Sequence, residues 1–259
     1  MRYYPVIAVI PARIGSTRLP RKPLADLGNG KTMIQQVVEI VTLCQSIDTV
    51  IVATDSEEVK ESVLMGNSTA EVVMTGICCR SGSERVWHTI QQGNYSHSKT
   101  QLIINVQGDE PLLKPWMLDV MVEQMNRKYN FGCQVATMVQ MSDDPEELNS
   151  PNTVKAIVTR LGDAVFFTRN PIAGPDGTFY RHLGVYAYNR FALNDMMEYG
   201  VGQLEQMENL EQMRLIEMGL RVDVTKISHS SPIISVDTQE DLDKVRRLCS
   251  HQYQSCCNP

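Results

Sequence analysis

The sequence predicts an α/β protein with a mostly parallel sheet flanked by helices. Apolar runs alternate with amphipathic segments through the first half of the chain. The apolar runs are continuous and rich in Val and Ile, which is typical of strands buried on both faces. Polar and charged residues follow directly after the strands Val6–Ala12 and Leu102–Val106. Because ligands bind beyond the carboxyl ends of strands in open α/β sheets, these segments are the candidate site.

The first half alternates strand and helix in βα order, which favours a parallel sheet with helices on both faces. Short apolar runs bounded by polar or turn residues are taken as strands, and segments with apolar residues three or four apart as helices. In chain order the predictions are strand Val6–Ala12, helix Met33–Cys44, strand Thr49–Thr54, helix Glu57–Met65, strand Glu71–Met74, helix Ser83–Gln91, strand Leu102–Val106 and helix Lys114–Tyr129.

The second half is richer in strands, which are more loosely separated. Its predicted elements are strands Gln134–Gln140, Thr153–Thr159, Val165–Thr168 and Leu183–Tyr188, a helix from about Leu204 to Met218 carrying the apolar stripe Leu204, Met207, Leu210 and Met213, strand Arg221–Ile227 and helix Gln239–Cys249. We expect a single domain over residues 1–249, with a β-rich excursion at about 165–215 that makes a dimer contact. Residues 250–259 carry no pattern and are expected to be a frayed tail.

Composition limits the classes of function. The chain has 259 residues and a net charge of −6, which disfavours bulk nucleic-acid binding and makes any anion site local. It lacks an apolar run long enough to cross a bilayer, and Met1–Pro5 leads straight into the first strand, so we expect a cytoplasmic protein without membrane insertion. The seven Cys show no zinc spacing and are expected to be reduced thiols.

A basic loop, residues 13–22, follows the first strand and carries Arg13, Arg18, Arg21 and Lys22. Guanidinium groups suit bidentate phosphate contacts, and a lysine acts as a point charge. The segment lacks the Walker pattern. A solvated basic loop is the alternative, but the position at a strand end favours a nucleotide phosphate chain.

Two acids follow apolar runs and could hold Mg²⁺ beside phosphates. Asp109 lies between Gly108 and Pro111, and Asp237 precedes Thr238 and Gln239. Asp237 could equally be the N-cap of the closing helix. The same two interpretations apply to Asp55, for which a helix cap is favoured.

Two further segments have both a structural and a functional interpretation. Arg80–Arg85 could read a base edge or bind an anion, or a serine of this segment could simply be the N-cap of the following helix. His182 lies in a predicted strand near Arg181 and Tyr186. It could be a structural histidine or a residue that binds a ligand. The polar face with Glu208, Glu211 and Gln212 is by default only solvated.

Seven segments, in this order, resemble the 3-deoxy-manno-octulosonate (Kdo) cytidylyltransferases over about Val6 to Arg247. They are PARIGSTRLPRKPL, the strand ending in Thr-Asp at Val52–Asp55, RSGSERV, NVQGDEP, RHLGVYAY, LEQMR and VDTQEDLDKVR. The resemblance implies a nucleotide-sugar-transferase-like (Rossmann-like) fold with a mixed, mostly parallel sheet, and a homodimer formed through the β-rich excursion. It implies transfer of CMP from CTP to Kdo, giving CMP-Kdo and pyrophosphate for lipopolysaccharide assembly, with two Mg²⁺ ions.

The resemblance also assigns roles to residues. Arg13 and Lys22 would hold the triphosphate, with help from Arg18, and offset charge on the leaving pyrophosphate. Asp109 and Asp237 would hold Mg²⁺. The residues expected near CTP also include Ser81, Gly82 and Arg85 beside the cytosine, and Gln107. The sugar pocket would contain Gln107, His182, Tyr186, Glu211 and Gln212, and Arg169 would pair with the sugar carboxylate.

The chain departs from the family pattern at several positions. Arg21 stands where Gly is usual, Ser83 replaces Thr, and Gln239 stands where Pro is common. These departures leave room for a modified sugar such as an 8-amino relative of Kdo. A cytidylyltransferase for sialic acid and a non-catalytic nucleotide-sensing protein are the competing hypotheses.

Overall fold

The computed structural model describes residues 5–66, 69–92, 95, 102–228 and 233–257, with the side chains of residues 130 and 251–257 excluded. Its strands and longer helices, in chain order, are β1 (Val6–Ala12), α1 (Met33–Thr42), β2 (Thr49–Thr54), α2 (Glu57–Met65), β3 (Glu71–Met74), α3 (Gly82–Gln92), β4 (Leu102–Asn105), α4 (Pro115–Lys128), β5 (Val135–Ser142), α5 (Pro145–Asn149), β6 (Lys155–Val158), β7 (Asp163–Thr168), β8 (Phe179–Asn189), α6 (Arg190–Tyr199), α7 (Gln203–Glu208), α8 (Met213–Glu217), β9 (Val222–Ile227) and α9 (Gln239–Cys257).

The chain divides into two units. The basic-loop unit comprises Val6–His97, Asn105–Leu118 and Pro232–Pro259, and the β-rich unit comprises Met1–Pro5, Ser98–Ile104 and Asp119–Ser231. No helix among the described residues is both long and apolar enough to cross a membrane.

In the basic-loop unit, β1 and β3 lie on either side of β2, and both pairings are parallel. All seven residues of β1 are buried. The nitrogen of Val106 donates to the carbonyl of Val9 (3.1 Å), so the segment after β4 lies beside β1. The parallel arrangement thus brings the residues that follow β1, β2 and β4 to one edge. A core beneath this edge contains Leu19, Leu27, Met33, Leu112, Val236, Leu242, Val245 and Cys249.

The β-rich unit has mixed strand directions. Strand β5 runs antiparallel to β8 and parallel to β9, while β6 pairs antiparallel with both β7 and β8. The register of β5 against β8 shifts between Thr137 and Met138. The predicted α/β class, with a multi-strand sheet flanked by helices, is confirmed.

Most predicted elements are found within two residues of their expected ends, but the helix predicted from Leu204 to Met218 is wrong. Asn209 adopts a left-handed backbone (φ 52°), which ends α7, and α8 begins at Met213. The proposed apolar stripe is broken accordingly, because Met207 is exposed while Leu210 and Met213 are buried.

Three further differences concern helices. Helix α6 was not predicted, although Asn189 caps it by accepting a hydrogen bond from the nitrogen of Ala192 (2.7 Å). The short helix α5 was also not predicted. Helix α9 continues to Cys257, eight residues past its predicted end, because no Gly or Pro interrupts residues 250–257. The last two residues of the expected tail, 258–259, lie outside the described residues, as do the thiols of the two final cysteines.

Candidate functional site

The candidate site is a cleft within the basic-loop unit, at the carboxyl edge of its strands. Four segments line it: the end of β1 with the basic loop, the loop entering α3, the segment after β4, and the segment before α9. Its lining residues are Pro11, Ala12, Arg13, Ser16, Thr17, Arg18, Lys22, Pro23, Cys79, Arg80, Ser81, Gly82, Arg85, Gln107, Gly108, Asp109 and Asp237. The structure therefore brings every residue expected near CTP, and both expected metal ligands, to one cleft.

Lys22 joins the two acids of the cleft. Its Nζ lies 2.5 Å from Oδ2 of Asp109 and 3.2 Å from Oδ1 of Asp237, and it also donates to the carbonyl of Val236 (3.0 Å). The nitrogen of Val236 donates to the carbonyl of Asp109 (2.9 Å), which holds the two segments side by side. Burial of the Lys22 amine opposes its charge, but the two carboxylates outweigh this effect and raise its pKa.

The other cations of the basic loop differ in orientation. Arg18 pairs with Oδ1 of Asp237 (3.0 Å), and Arg13 lines the cleft with no ion pair among the described residues. Arg21 is turned away to Glu58 of α2, with Nη1 to Oε1 at 3.3 Å, and does not line the cleft. Its backbone is left-handed (φ 56°), which explains why glycine suits this position in the family pattern.

The carboxylates of Asp109 and Asp237 fit a hard divalent cation. Their side chains remain 24% and 29% exposed, so solvent and a ligand can reach the oxygens. The described residues contain no cluster of three or more His, Cys, Asp or Glu side chains that could enclose a metal. Two carboxylates supplemented by water and phosphate oxygens are a donor set that Mg²⁺ commonly accepts.

Asp237 is not the cap of α9. Thr238 and Asp241 cap that helix reciprocally, since Oδ2 of Asp241 accepts from the nitrogen of Thr238 (2.9 Å) and Oγ1 of Thr238 accepts from that of Asp241 (3.2 Å). The carboxylate of Asp237 therefore faces Arg18 and Lys22 rather than a helix end.

The expectation that Asp55 caps α2 is wrong. Ser56 is the N-cap, because its hydroxyl accepts from the nitrogen of Val59 (3.4 Å). Asp55 instead accepts from the nitrogen of Ile14 (3.1 Å) and pairs with Arg85 (3.0 Å). Sequence reasoning missed this connection, although a carboxylate directly after a core strand was the available signal.

The loop entering α3 packs tightly against the segment after β4. A Cβ at Gly82 would lie 3.1 Å from the amide atoms of Gln107, and one at Gly108 would lie 3.0 Å from the carbonyl of Pro11. Ser81 acts as a cap, because its hydroxyl accepts from the nitrogen of Glu84 (3.1 Å). Gly108 is therefore suited to glycine because the backbone of β1 approaches it closely, whereas Gly82 packs against the side chains of Gln107 and Pro11.

The residues expected around the sugar, apart from Gln107, belong to the β-rich unit. Nε2 of His182 lies 2.9 Å from both Oγ1 of Thr137 and the hydroxyl of Tyr186, and the ring packs edge-on against Phe167. Burial lowers the pKa of His182 to about 3, so the ring is neutral at physiological pH. Burial also raises the pKa of Tyr186, and the charge of Glu211 adds to the effect.

Two other expected sugar residues have defined surroundings. Arg169 donates to the carbonyl of Pro151 (2.7 Å), and its own carbonyl accepts from the fully buried ammonium of Lys155 (3.0 Å). Gln212 is buried at the start of α8. The structure thus places His182 and Tyr186 in direct contact and holds Arg169 through both its guanidinium and its backbone carbonyl.

Comparison with known proteins defines the class. Residues 7–227 match the family model described as cytidylyltransferase, so the chain belongs to the cytidylyltransferase family of nucleotidyltransferase enzymes. It is 38% identical to the 3-deoxy-manno-octulosonate cytidylyltransferase of Aeromonas hydrophila subsp. hydrophila, covering 95% of this chain and 99% of the relative.

Two further matches bear on the sugar and the nucleotide. The 8-amino-3,8-dideoxy-manno-octulosonate cytidylyltransferase of Shewanella amazonensis is 39% identical, covering 92% of this chain and 95% of the relative. The solved structure of CMP:2-keto-3-deoxy-manno-octonic acid synthetase complexed with CTP superposes with a TM-score of 0.85 at 33% identity, covering 96% of this chain and all of that one.

Proposed function

We propose that this protein transfers CMP from CTP to the anomeric hydroxyl of Kdo, giving CMP-Kdo and pyrophosphate for lipopolysaccharide synthesis in the cytoplasm. The observation that carries the proposal is the cleft in which Lys22 meets both Asp109 and Asp237 beside Arg13 and Arg18. Relatives that align over nearly the whole chain are named for this activity.

In this reaction the anomeric hydroxyl gives its proton to water and its oxygen bonds to the α-phosphorus. The bond from that phosphorus to the oxygen that bridges it to the β-phosphate breaks, and pyrophosphate leaves with that oxygen. Arg13, Arg18 and Lys22 bind the triphosphate and offset the negative charge that develops on pyrophosphate. Asp109 and Asp237 would hold magnesium, two ions by resemblance to the family, which when bound neutralises phosphate charge and lowers the pKa of the sugar hydroxyl.

We propose that different sets of residues bind the cytosine of CTP and the sugar. Ser81, just before α3, and Gly82 and Arg85, in its first turn, line the part of the cleft proposed to contact cytosine, and Gln107 packs against Gly82. We propose that His182, Tyr186, Glu211 and Gln212, together with Gln107, contact the sugar hydroxyls, and that Arg169 pairs with the sugar carboxylate. A neutral His182 between two hydroxyl groups is suited to hydrogen bonding rather than to charge pairing.

The choice of sugar is the finer part of the proposal. The relatives named for Kdo and for its 8-amino derivative are about equally similar to this chain, so overall identity favours neither. We propose Kdo, because the Aeromonas relative and the solved structure that superposes over 96% of this chain are both named for that sugar.

Pyrophosphate release tests the proposal directly. The purified protein is incubated with CTP, Mg²⁺ and, in separate reactions, Kdo, 8-amino-Kdo or sialic acid. We expect turnover with Kdo and a sharp loss when UTP or ATP replaces CTP. Turnover with 8-amino-Kdo or sialic acid alone would move the assignment to that sugar. CTP binding without turnover on any of them would favour a nucleotide-sensing protein.

Asp109→Asn tests the metal assignment. The substitution nearly preserves shape but removes a charge that Mg²⁺ needs, so we expect turnover to fall by at least about a hundred-fold. Asp48→Asn, at the opposite end of the parallel strands, is the matched control and should keep near wild-type turnover. An active Asp109→Asn enzyme would refute the assignment.

A further inference from the structure

The end of β2 holds the backbone on both sides of Arg13. The hydroxyl of Thr54 donates to the carbonyl of Ala12 (2.6 Å), and Oδ1 of Asp55 accepts from the nitrogen of Ile14 (3.1 Å). Thr54 is fully buried, and the Asp55 side chain is only 9% exposed. Arg13 therefore extends into the cleft from a backbone that is fixed at both neighbouring residues.

The second oxygen of Asp55 reaches a different wall of the cleft. Its Oδ2 lies 3.0 Å from Nη2 of Arg85, whose side chain is 3% exposed, near the start of α3. The other terminal nitrogen of Arg85 donates to the hydroxyl of Thr75, whose own nitrogen donates to the carbonyl of Thr54 (2.8 Å). One carboxylate thus connects the basic loop to the helix that presents the Ser81–Gly82 loop.

A buried ion pair is weak evidence for a role in stability, since apolar side chains of similar volume often stabilise as well. The carboxylate of Asp55 instead makes bonds that are specific in direction and that end on two cleft-lining segments. We propose that Asp55 is a positioning residue for CTP, which fixes Arg13 and the start of α3 in register; this rests on the proposed function.

The chain contains a matched control for this role. Asp48 accepts a hydrogen bond from the nitrogen of Val6 (2.8 Å), which is the first residue of β1 and lies at the opposite end of the strand from Ile14. Asp48 and Asp55 therefore make the same kind of carboxylate-to-backbone bond to the two ends of β1. The described contacts of Asp55 reach Ile14, which follows Arg13, and Arg85 in the cleft wall.

The first test compares the affinity for CTP by calorimetry in the presence of Mg²⁺. We expect Asp55→Asn to weaken CTP binding about ten-fold, the effect of losing one hydrogen bond between charged groups. Asp48→Asn should stay within about two-fold of wild type even if it lowers the melting temperature similarly. In turnover assays the KM for CTP should rise more than the KM for the sugar. Equal affinity of Asp55→Asn and wild type would overturn the role.

A double-mutant cycle separates positioning from general destabilisation. If Asp55 acts through Arg13, adding Asp55→Asn to Arg13→Ala should cost much less affinity than it costs alone. Fully additive losses would contradict the proposal. Should Asp55→Asn fail to fold, Thr54→Val removes the other anchor, and unchanged CTP affinity in that variant would overturn the role. A wild-type protein that does not bind CTP would overturn the proposed function as well.

Discussion

At the scale of single residues, Arg21 is a cation of the basic loop that does not line the cleft. Its left-handed backbone carries a strain of about 1 kcal/mol for a side chain other than glycine. Its exposed ion pair with Glu58 offsets little of this strain, because exposed ion pairs stabilise a protein by only about 0–1 kcal/mol. Arg21 thus adds a cation to the loop sequence without adding one to the cleft.

We therefore predict that Arg21→Gly leaves the KM for CTP unchanged. Its free energy of unfolding should stay within about 1 kcal/mol of wild type, because relief of strain offsets the entropy that glycine adds to the unfolded chain. The matched variant Arg18→Ala, which removes a cleft cation bonded to Asp237, should raise that KM about ten-fold. Equal effects of the two variants on the KM for CTP would contradict the assignment of Arg18, and not Arg21, to the CTP cleft.

His182 predicts a pH dependence of stability. Its folded-state pKa of about 3 lies below the ordinary 6.5, so between these values the unfolded chain binds more protons. This contribution to stability is present above pH 6.5 and is lost as the pH falls towards 3. This single group changes the free energy of unfolding with a slope that approaches about 1.4 kcal/mol per pH unit.

Urea unfolding of wild type and His182→Gln between pH 7 and pH 4 measures this contribution. Gln cannot titrate but can still hydrogen-bond the hydroxyls of Thr137 and Tyr186, so the variant should lose stability less steeply on acidification. Parallel slopes for the two proteins would show that His182 accepts a proton in the folded state near its ordinary pKa.

At the scale of elements, α7 depends on a cap supplied by the end of α8. The carboxylate of Glu217 accepts from the nitrogens of Gln203 (3.1 Å) and Leu204 (2.9 Å), and these backbone bonds lower its pKa. Gly202 makes room for that carboxylate, because a Cβ at this position would overlap it. The two short helices are therefore joined at the α7 N-terminus and through Arg214, which pairs with Glu205 (2.8 Å).

We predict that Gly202→Ala lowers the free energy of unfolding by about 1 kcal/mol, the value of a lost N-cap. Denaturant titration provides the measurement. Glu217→Gln keeps an acceptor oxygen and should cost less than Gly202→Ala. A Gly202→Ala protein as stable as wild type would show that Glu217 moves without loss of the cap.

The elements differ in how far the sequence could predict them. Buried strands such as β1 and β2 were predicted to the residue, because a continuous apolar run bounded by polar residues has few alternatives. The end of α7 at Asn209 was not predicted, because the local spacing of apolar residues favoured one continuous helix. The contacts of Glu205 and Glu217 that hold two separate helices come from tertiary structure. Asp55 was misassigned for the same reason, since both of its partners lie about 30 or more residues away in sequence.

At the scale of the whole molecule, exposed apolar side chains occur in the segment expected to form a dimer contact. Val165 is 47% exposed, Val201 53% and Met207 79%, all within residues 165–215. Apolar side chains that remain in water are available for burial against a second copy of the chain.

We predict a homodimer that Val165→Asp converts to monomer, measured by sedimentation equilibrium. A charge placed in an apolar interface would lose its hydration without gaining a partner. Leu64→Asp, at an exposed apolar position on α2, is the control and should remain dimeric. A wild-type monomer, or a dimer broken by Leu64→Asp instead, would contradict the role of the excursion.

The pairing of Val236 with Asp109 also has a consequence for biosynthesis. During translation the ribosome releases the N-terminal strands and the basic loop long before the segment that carries the second acid. The late segment also brings Val236, Leu242 and Val245, which cover the apolar side of Leu19 and Met33. A nascent chain that ends before this segment would therefore expose that surface to chaperones and leave Lys22 with one carboxylate partner instead of two.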